Sequence, residues 1–586
     1  MNARWVMDCW VMDLRRIAVA FALCSALVGC VAAQAGPLPA PKVQTAATAQ
    51  KQQVSREPTV APVIPPVQQQ IQPVAPPALP GLTMMGPLGG TREACEGLRR
   101  LKIDDTTIEV AGMVDGGSFN VPNTITVYHS LPAFCRVIGV TKPAIRFEVW
   151  LPLTRWSGRF EVVGNGGMAG SIGYSSLAGG LRRGNAVAAT DTGHENRNNE
   201  GFDASWSLNR PELVEDFAWR ALHLTTVNGK QVTRAFYGRP AKRSYYVGCS
   251  KGGGQGLMEA QRFPNDFDGI VAGDPAYNWT NLYAGAHLYY AQATLKDPDS
   301  YIQPAKVKIL ADAVNRACDG KDGFADGVVN DPFSCRVDLK EITCKEGEET
   351  GGCFTPKQIE AVKKIWAGAK EDNGKQFFPG LLPGGEAGAN GWSAWVTGAA
   401  PYHATHWHAA ESFFRYMMAN DEDYDPLDFD LTRDRDRKML ERLAPVLNAD
   451  DADLRPFMKH GGKLILYHGL SDPDISAVNT VNYYRRISDI SGPQTPGFAR
   501  LFLAPGMQHC GGGPGPDAFD AVAAVQRWVE EGLAPEKIIA SHYTQGTLDR
   551  SRPLCPYPQM AAYSGKGNAV DASSWVCRAP GEVAKK

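Results

Sequence analysis

The sequence predicts an α/β fold in which a long insertion interrupts a largely parallel β-sheet. Short apolar runs of β type alternate with helical patterns in two regions, about 90–275 and about 455–586. Such alternation is typical of a parallel sheet with crossover helices. Between the two regions, residues 277–454 are rich in Gly, Asp, Trp and Tyr and lose the alternation. Because the alternation then resumes, we interpret 277–454 as a lid inserted into one sheet rather than as a tandem domain.

The predicted elements follow from the apolar periodicity. In the first region, 86–276, the predicted strands are Ile145–Leu151, Phe160–Val163, Ala186–Thr190, Tyr245–Cys249 and Gly269–Ala272. In the second region, 455–586, they are Lys463–Tyr467, Ala499–Leu503 and Lys537–Ser541. Helical patterns cover Pro211–Phe236, Val478–Ile487 and Asp517–Glu531.

The beginning of the chain has the pattern of an export signal. Two arginines precede an apolar run from Ile17 to Val28, which is too short to span a bilayer comfortably. The run ends at Cys30 in a pattern that resembles the bacterial lipoprotein box, and a cleavage site of small residues at 32–35 is the alternative. We therefore predict a signal peptide over 1–33 and an exported protein that is periplasmic, an outer-membrane lipoprotein or secreted.

Composition narrows the classes of partner. The 60 basic and 62 acidic residues give a net charge of -2, which argues against nucleic acid or an anionic membrane as the main partner. We expect membrane contact only through a lipid on Cys30. Residues 34–85, rich in Pro and Gln with few charges, cannot bury enough surface to offset their ordering entropy. We predict that this segment is a disordered tether.

The cysteine count favours disulfides. The chain has 13 cysteines, and ten remain once Cys9, Cys24 and Cys30 are assigned to the leader. An even number in an exported chain favours disulfides over free thiols. Spacing suggests four pairs of near neighbours and leaves a fifth, namely Cys95–Cys135, Cys318–Cys335, Cys344–Cys353, Cys555–Cys577 and Cys249–Cys510. A zinc site is the alternative, but the close C-x-x-C spacing that favours it is absent from the sequence.

A G-x-S-x-G motif at 248–252 predicts a nucleophile at Ser250. The motif follows a predicted strand and precedes a helical pattern over 255–262. Small residues flank the serine because the turn from strand to helix is sharp, and the turn lifts the hydroxyl above the carboxyl edge of the sheet. The N-terminus of the following helix favours negative charge there. Strand, motif and helix together predict the α/β-hydrolase fold.

A serine nucleophile needs a base and an acid that orients the base, and this fold supplies them in the order serine, acid, histidine. His509 follows a predicted strand in a Gly-rich loop, and Asp472 follows the strand before it. We predict them as base and acid, with Asp474 as the alternative acid and His468 as the alternative histidine. Three histidines cluster in the lid, and we expect them to be solvated or to line the substrate site: His403, His406 and His408. The other three histidines after Ser250 have no catalytic context: His287, His460 and His542.

The developing oxyanion needs two fixed hydrogen-bond donors. We expect one from the backbone N–H of Lys251, directly after the nucleophile. The other should come from the Gly-rich loop 164–170, where the backbone can approach a substrate closely. A phosphate cradle is the alternative for this loop, but the loop lacks a Walker lysine and the spacing of a dinucleotide fingerprint.

Taken together, these segments resemble the tannase and feruloyl esterase family, and within it the bacterial branch that includes mono(2-hydroxyethyl) terephthalate hydrolase. The resemblance covers roughly 90–580 and rests on the segments 156–160, 189–194, 248–253, 267–273, 466–472 and 505–510. It implies the same triad, a second oxyanion donor at Gly167, the Cys249–Cys510 disulfide and a lid over the acyl pocket. It also implies that carboxylic esters are hydrolysed through an acyl-enzyme, without an organic cofactor.

The resemblance implies small esters of aromatic acids as substrates, with feruloyl or galloyl groups. Terephthalate monoester is the alternative, and a catalytically inactive surface lipoprotein on the same scaffold is an alternative of a different class. Terephthalate-specific members carry a lid arginine near the position of Ala404, whereas Arg415 is the single Arg or Lys in 390–420. The expected substrate-binding residues are His468, Trp395 and Ile475, where isoleucine replaces an aromatic residue.

The resemblance also points to a calcium loop in the lid, at 319–328. Carboxylates interleaved with glycines offer hard oxygen ligands for a structural Ca²⁺. The expected ligands are the side chains of Asp319, Asp322 and Asp326 with the carbonyls of Phe324 and Val328. The loop is not an EF-hand, because its twelfth position is Asn330.

Overall fold

A nine-stranded β-sheet forms the centre of the protein. The computed structural model describes residues 90–196, 201–348 and 351–579. The predicted signal peptide, the tether and Cys30 lie outside the described residues. In chain order the strands are β1 (Thr106–Val114), β2 (Phe134–Thr141), β3 (Ile145–Pro152), β4 (Arg159–Val163), β5 (Ala186–Thr190), β6 (Arg243–Cys249), β7 (Gly269–Gly273), β8 (Lys463–Gly469) and β9 (Ala499–Ala504).

The sheet is parallel except at one edge. Its order is β1-β2-β3-β5-β4-β6-β7-β8-β9. The pairs β1/β2, β2/β3 and β3/β5 are antiparallel, and the remaining pairs are parallel. The predicted α/β-hydrolase architecture is confirmed, and β1 and β2 are additions that the periodicity did not predict.

Helices pack on both faces of the sheet. Neighbouring residues of one strand point to opposite faces and therefore contact different helices. Tyr246 and Ile270 pack with helices that follow β5 and β6, whereas Tyr245 and Val271 pack with a helix near the C-terminus. The helices of this part are Arg92–Gly97, Tyr174–Arg182, Pro211–Glu215, Ala221–Tyr237, Lys251–Arg262, Arg455–His460, Ala477–Ser491 and Ala521–Glu531, with π-helical turns at Asp216–Arg220.

The lid leaves the sheet after β7 and returns at β8, and these two strands are hydrogen-bonded neighbours. Its apolar side chains, among which Trp392, Phe413 and Met418 are fully buried, form one core together with residues of the sheet domain such as Phe217 and Ile475. Its helices are Trp279–Leu282, Tyr289–Leu295, Pro304–Cys318, Pro356–Ala367, Trp392–Trp395, Thr405–Ser412 and Asp434–Leu447, with π-helical turns at Tyr283–Leu288 and Phe413–Ala419 and a two-stranded sheet of Gly368–Lys370 and Gln376–Pro379.

The last predicted strand lies outside the central sheet. Ile538–Thr544 pairs with Thr547–Leu554 in a two-stranded antiparallel sheet. Two further small sheets join Gly117–Asn120 with Val127–Leu131 and Met560–Tyr563 with Trp575–Arg578. All the described residues belong to one compact unit. Within them, none of the helices has the length and apolar character that crossing a bilayer requires.

The five predicted disulfides are all formed. Four of them close loops of 9 to 40 residues. Cys249–Cys510 joins residues 261 positions apart, with Cα atoms separated by 6.0 Å. This bond connects the end of β6 to the loop after β9.

Candidate active site

Ser250 lies at a tight turn between β6 and the helix Lys251–Arg262. Its φ of 62° and ψ of -123° are rare for a residue with a side chain. Its backbone N–H donates to the carbonyl of Gly273 at 3.0 Å, which ties the turn to the end of β7. A Cβ on Gly248 would lie 2.5 Å from the carbonyl oxygen of Gly252, so the turn requires the motif's first glycine.

Asp472 and His509 lie on the loops after β8 and β9. Because β8 and β9 are parallel and in register at their carboxyl ends, the two loops meet. His509 Nδ1 donates to Asp472 Oδ2 at 2.8 Å. The other carboxylate oxygen accepts the backbone N–H groups of Asp474 at 2.8 Å and Ile475 at 3.0 Å. Asp472 is therefore fixed by its own loop and holds the ring of His509.

Charge dominates the protonation of this pair. Burial alone would lower the pKa of His509, but the carboxylates of Asp472 and Asp474 outweigh it and raise that pKa to about 10. Burial would raise the pKa of Asp472, but His509 and His468 outweigh it, so the net pKa is lowered. The acid therefore stays ionised whenever the imidazole takes up a proton.

A cavity of about 550 Å³ lies at this edge of the sheet, within the range of small-molecule sites. Ser250 and His509 both line it, so the predicted nucleophile and the predicted base face the same space. Apolar and glycine residues form most of the remaining wall, namely Val163, Gly164, Gly166, Gly167, Gly179, Phe202, Val247, Gly248, Trp395, Tyr467 and Val522.

The three residues expected to bind substrate lie in different places. Trp395 lines the cavity, with its ring centroid 5.3 Å from that of His509. His468 and Ile475 are fully buried and do not line the cavity. His468 Nε2 donates to the Ile475 carbonyl at 2.9 Å and lies 3.2 Å from Asp472 Oδ2. The structure thus gives His468 the position of a support for the acid, and places Ile475 in the apolar core that the lid shares with the sheet domain.

The Gly-rich loop lies against the nucleophile turn. The Asn165 carbonyl accepts the N–H of Gly252 at 2.8 Å. Gly167 has a φ of 51°, and a Cβ there would collide with the carbonyl oxygen of Gly201. A glycine is therefore required where the backbone turns into the cavity.

The other expected oxyanion donor, Lys251, is the first residue of a helix. The backbone N–H of Lys251 is one of those that a helix leaves without an internal partner. The Lys251 side chain is buried, with Nζ 3.8 Å from the ring centroid of Phe217 and 4.9 Å from that of Trp279. Burial lowers its pKa to about 7.

Several polar residues of the site were missed from the sequence. Asp274 accepts the backbone N–H groups of Gly469 at 2.7 Å and Cys510 at 3.1 Å, so it joins the acid and histidine loops. Its position directly after β7, at the carboxyl end of a parallel strand, was a usable signal. His287 and His406 are buried in the lid, each within hydrogen-bond distance of Asp474. For His406, a buried position replaces the expected solvated or substrate-lining one, whereas His403 and His408 are exposed.

The loop 319–328, where the sequence predicts a calcium site, has oriented carboxylates. Asp319 accepts the backbone N–H groups of Asp326 and Gly327 at 3.1 and 2.9 Å, and Asp322 accepts that of Phe324 at 3.0 Å. Asp322 Oδ2 is buried and has no hydrogen-bond partner among the described residues. Hard oxygen donors and an orphaned carboxylate oxygen fit a calcium ion.

In two respects the carboxylates of this loop are not arranged as they would be around a bound ion. Asp326 Oδ2 accepts from Arg552 at 2.7 Å. The carboxylate oxygens of the three aspartates also do not all lie within 4.8 Å of one another.

Comparison with known proteins identifies the family of the chain. The family model "Tannase and feruloyl esterase" matches residues 127–578. An uncharacterized esterase of Xanthomonas campestris pv. campestris is 38% identical over 529 residues, which cover 83% of this chain and 91% of that protein. A probable feruloyl esterase B-1 of Aspergillus flavus is 35% identical over 454 residues, 74% of this chain and 83% of that protein.

A solved structure is similar over most of its length. The crystal structure of feruloyl esterase B from Aspergillus oryzae matches with a TM-score of 0.75 and 30% identity, and covers 83% of this chain and 100% of that one. The family match spans more than half of the chain and includes the nucleophile turn, the lid and both loops of the candidate active site. The chain therefore belongs to the tannase and feruloyl esterase family.

Proposed function

We propose that the protein hydrolyses carboxylic esters of aromatic acids through a covalent acyl-enzyme on Ser250. The arrangement of Ser250, His509 and Asp472 is the observation that carries this proposal. Ser250 lies at a strained turn and lines the same cavity as His509. The Nδ1 atom of His509 is hydrogen-bonded to the buried Asp472. The family consists of esterases, and the chain is accordingly a carboxylic ester hydrolase.

In the proposed reaction, His509 Nε2 takes the proton of Ser250 as its oxygen attacks the ester carbonyl. Asp472 keeps the ring oriented and stabilises the imidazolium that forms. The N–H groups of Gly167 and Lys251 are the proposed donors to the oxyanion. The tetrahedral intermediate expels the alcohol, which takes the proton from His509. Water activated by His509 then releases the acid from Ser250.

The cavity supports an uncharged aromatic acyl group. Phe202, Trp395 and Tyr467 supply aromatic surface. Among the described residues that line the cavity, Arg183 is the single Arg or Lys, and it is already paired with the buried Glu161. Arg415 is paired with Glu411 at 3.0 Å and is not in the cavity lining. A free carboxylate on the acyl group would therefore lack an unpaired cation, which favours feruloyl or galloyl esters over terephthalate monoester.

A panel of methyl ferulate, methyl gallate and mono(2-hydroxyethyl) terephthalate tests this proposal. We expect kcat/KM to be highest for one of the two phenolic esters. We expect the terephthalate ester to be at least about tenfold poorer, because its carboxylate would be desolvated without a partner. A preference for the terephthalate ester would contradict the substrate assignment. Failure of a fluorophosphonate probe to label the protein would instead favour an inactive scaffold.

We also propose that the loop 319–328 holds one structural Ca²⁺ through its three aspartates. A ligand that binds only the folded state raises stability, so a chelator is expected to lower Tm by several degrees, with recovery on adding Ca²⁺. In Asp322→Asn, which weakens the site at its orphaned oxygen, the chelator should have little further effect. Asp331→Asn, at an aspartate that lies just past the loop and caps a short helical turn, is the matched control and should keep the wild-type response. An unchanged wild-type Tm under chelation, with no calcium found by elemental analysis, would contradict the site.

A further inference from the structure

A buried carboxylate outside the proposed triad faces the histidine of the triad. Asp474 is 3% exposed, and its Oδ2 lies 3.4 Å from His509 Nε2. Its Oδ1 accepts from His287 Nε2 at 2.8 Å and from His406 Nε2 at 3.2 Å. Both of these histidines belong to lid helices, and their rings stack with centroids 4.6 Å apart. The lid thus fixes the position of a carboxylate in the acid loop.

The two lid histidines donate hydrogen bonds to Asp474 without neutralising it. Each Nε2 carries a hydrogen, since a carboxylate oxygen can only accept. The Nδ1 atoms of His287 and His406 are buried and have no hydrogen-bond partner among the described residues. A second proton on His406 would be a buried, unpaired cationic N–H, which is costly. Burial accordingly lowers the pKa of His406 to about 4.

The negative charge of Asp474 therefore acts on His509. Three carboxylates surround that imidazole: Asp472 at Nδ1, Asp474 at Nε2 and Asp274 behind the loop, bonded to the N–H of Cys510. His468 faces Asp472 and Asp274, at 3.2 and 3.6 Å. The Cys510 sulfur lies 3.7 Å from Nε2 but is held in a disulfide and does not titrate.

We propose that Asp474, held by His287 and His406, is a positioning residue that raises the basicity of His509 and sets the pH range of catalysis. This inference rests on the proposed function, since it takes His509 as the base. A carboxylate beside Nε2 stabilises the imidazolium. The neutral form, which accepts the proton of Ser250, then predominates only at higher pH. In this division of roles, Asp472 orients the ring of His509 and Asp474 stabilises its protonated form.

The wild-type enzyme gives the first test. We expect kcat/KM to rise with pH, with a midpoint above about pH 7.5, at least one unit above the ordinary histidine value of about 6.5. A midpoint at or below about pH 6.5 would overturn the inference. This measurement needs no variant, so it does not depend on whether a substituted protein folds.

The variant Asp474→Asn gives the second test. Asparagine keeps an acceptor oxygen for the two lid histidines but removes the charge. We expect the midpoint to fall by about one pH unit or more, with plateau kcat retained within about tenfold. Asp489→Asn, an exposed position on the helix Ala477–Ser491, is the matched control and should leave the profile unchanged. A midpoint that stays in place or moves to higher pH would overturn the inference.

The rate of Ser250 labelling by a fluorophosphonate, measured over the same pH range, separates this inference from the choice of ester. We expect the same downward shift in Asp474→Asn. If labelling shifts while none of the esters is hydrolysed, the inference stands and the substrate assignment fails. If Asp474→Asn is not labelled at any pH while its Tm is unchanged, Asp474 is the orienting acid and the inference is overturned. Absence of labelling in the wild type would remove the proposed function together with it.

Discussion

Ester hydrolysis is expected to fall by at least about 10⁴-fold in kcat in Ser250→Ala and in His509→Ala, because each variant removes a group that acts as part of one unit. Asp472→Asn should lose a comparable factor, since the imidazole then loses the acceptor at Nδ1 that fixes its tautomer. Initial rates on methyl ferulate, with active-site titration of the wild type, measure these losses. Melting temperatures near the wild-type value would show that the variants remain folded.

The control for these variants is His460→Ala, at an exposed histidine that ends the helix Arg455–His460. We expect wild-type rates from it. Hydrolysis by Ser250→Ala above about 1% of the wild-type rate would contradict Ser250 as nucleophile. Strong loss in Asp474→Asn at every pH, together with retention in Asp472→Asn, would exchange the roles of the two acids.

Removal of the Cys249–Cys510 disulfide is expected to lower both stability and activity. Cys249 precedes the proposed nucleophile and Cys510 follows the proposed base, so one bond joins the turn at Ser250 directly to the loop that carries His509. Cys510 has a φ of 60°, a conformation that the closed loop must maintain. Loss of a crosslink across 261 residues typically costs about 2–5 kcal/mol. We expect Cys249→Ala with Cys510→Ala to melt several degrees lower and to lose more than about tenfold in kcat/KM.

The matched control is Cys344→Ala with Cys353→Ala, which opens a loop of sequence separation 9 in the lid. This double variant should keep most of its activity, because neither cysteine lines the cavity. Peptide mapping without reduction checks the pairing itself. Recovery of Cys249 as a free thiol, or joined to a cysteine other than Cys510, would be incompatible with the structure.

The parallel part of the sheet could be predicted from the sequence because its strands are buried on both faces and form continuous apolar runs. Ala186–Thr190, for example, is buried at every position and was predicted with its observed bounds. Strand β1 could not be found in this way, since it lies at the edge and most of its residues are exposed or half-buried. Lys537–Ser541 has a strand pattern, but periodicity does not say to which sheet a strand belongs.

Some residues of the candidate site could likewise be predicted from the sequence, and others could not. Ser250, Asp472 and His509 each follow a parallel strand within a recognisable loop, so local signals placed them at one edge of the sheet. The contacts of His287 and His406 with Asp474 span 187 and 68 residues. These contacts depend on how the lid packs on the acid loop. A single sequence has no local pattern that indicates contacts between residues so far apart in the chain.

The insertion of the lid between neighbouring strands has a consequence for engineering. Because β7 and β8 remain paired across the insertion point, a lid from a relative could be grafted between residues 277 and 454 without changing the order of the sheet. The graft would still have to match Asp474. A lid without donors in place of His287 and His406 would leave that carboxylate buried and unsolvated, so grafted lids should be chosen together with the residue at position 474.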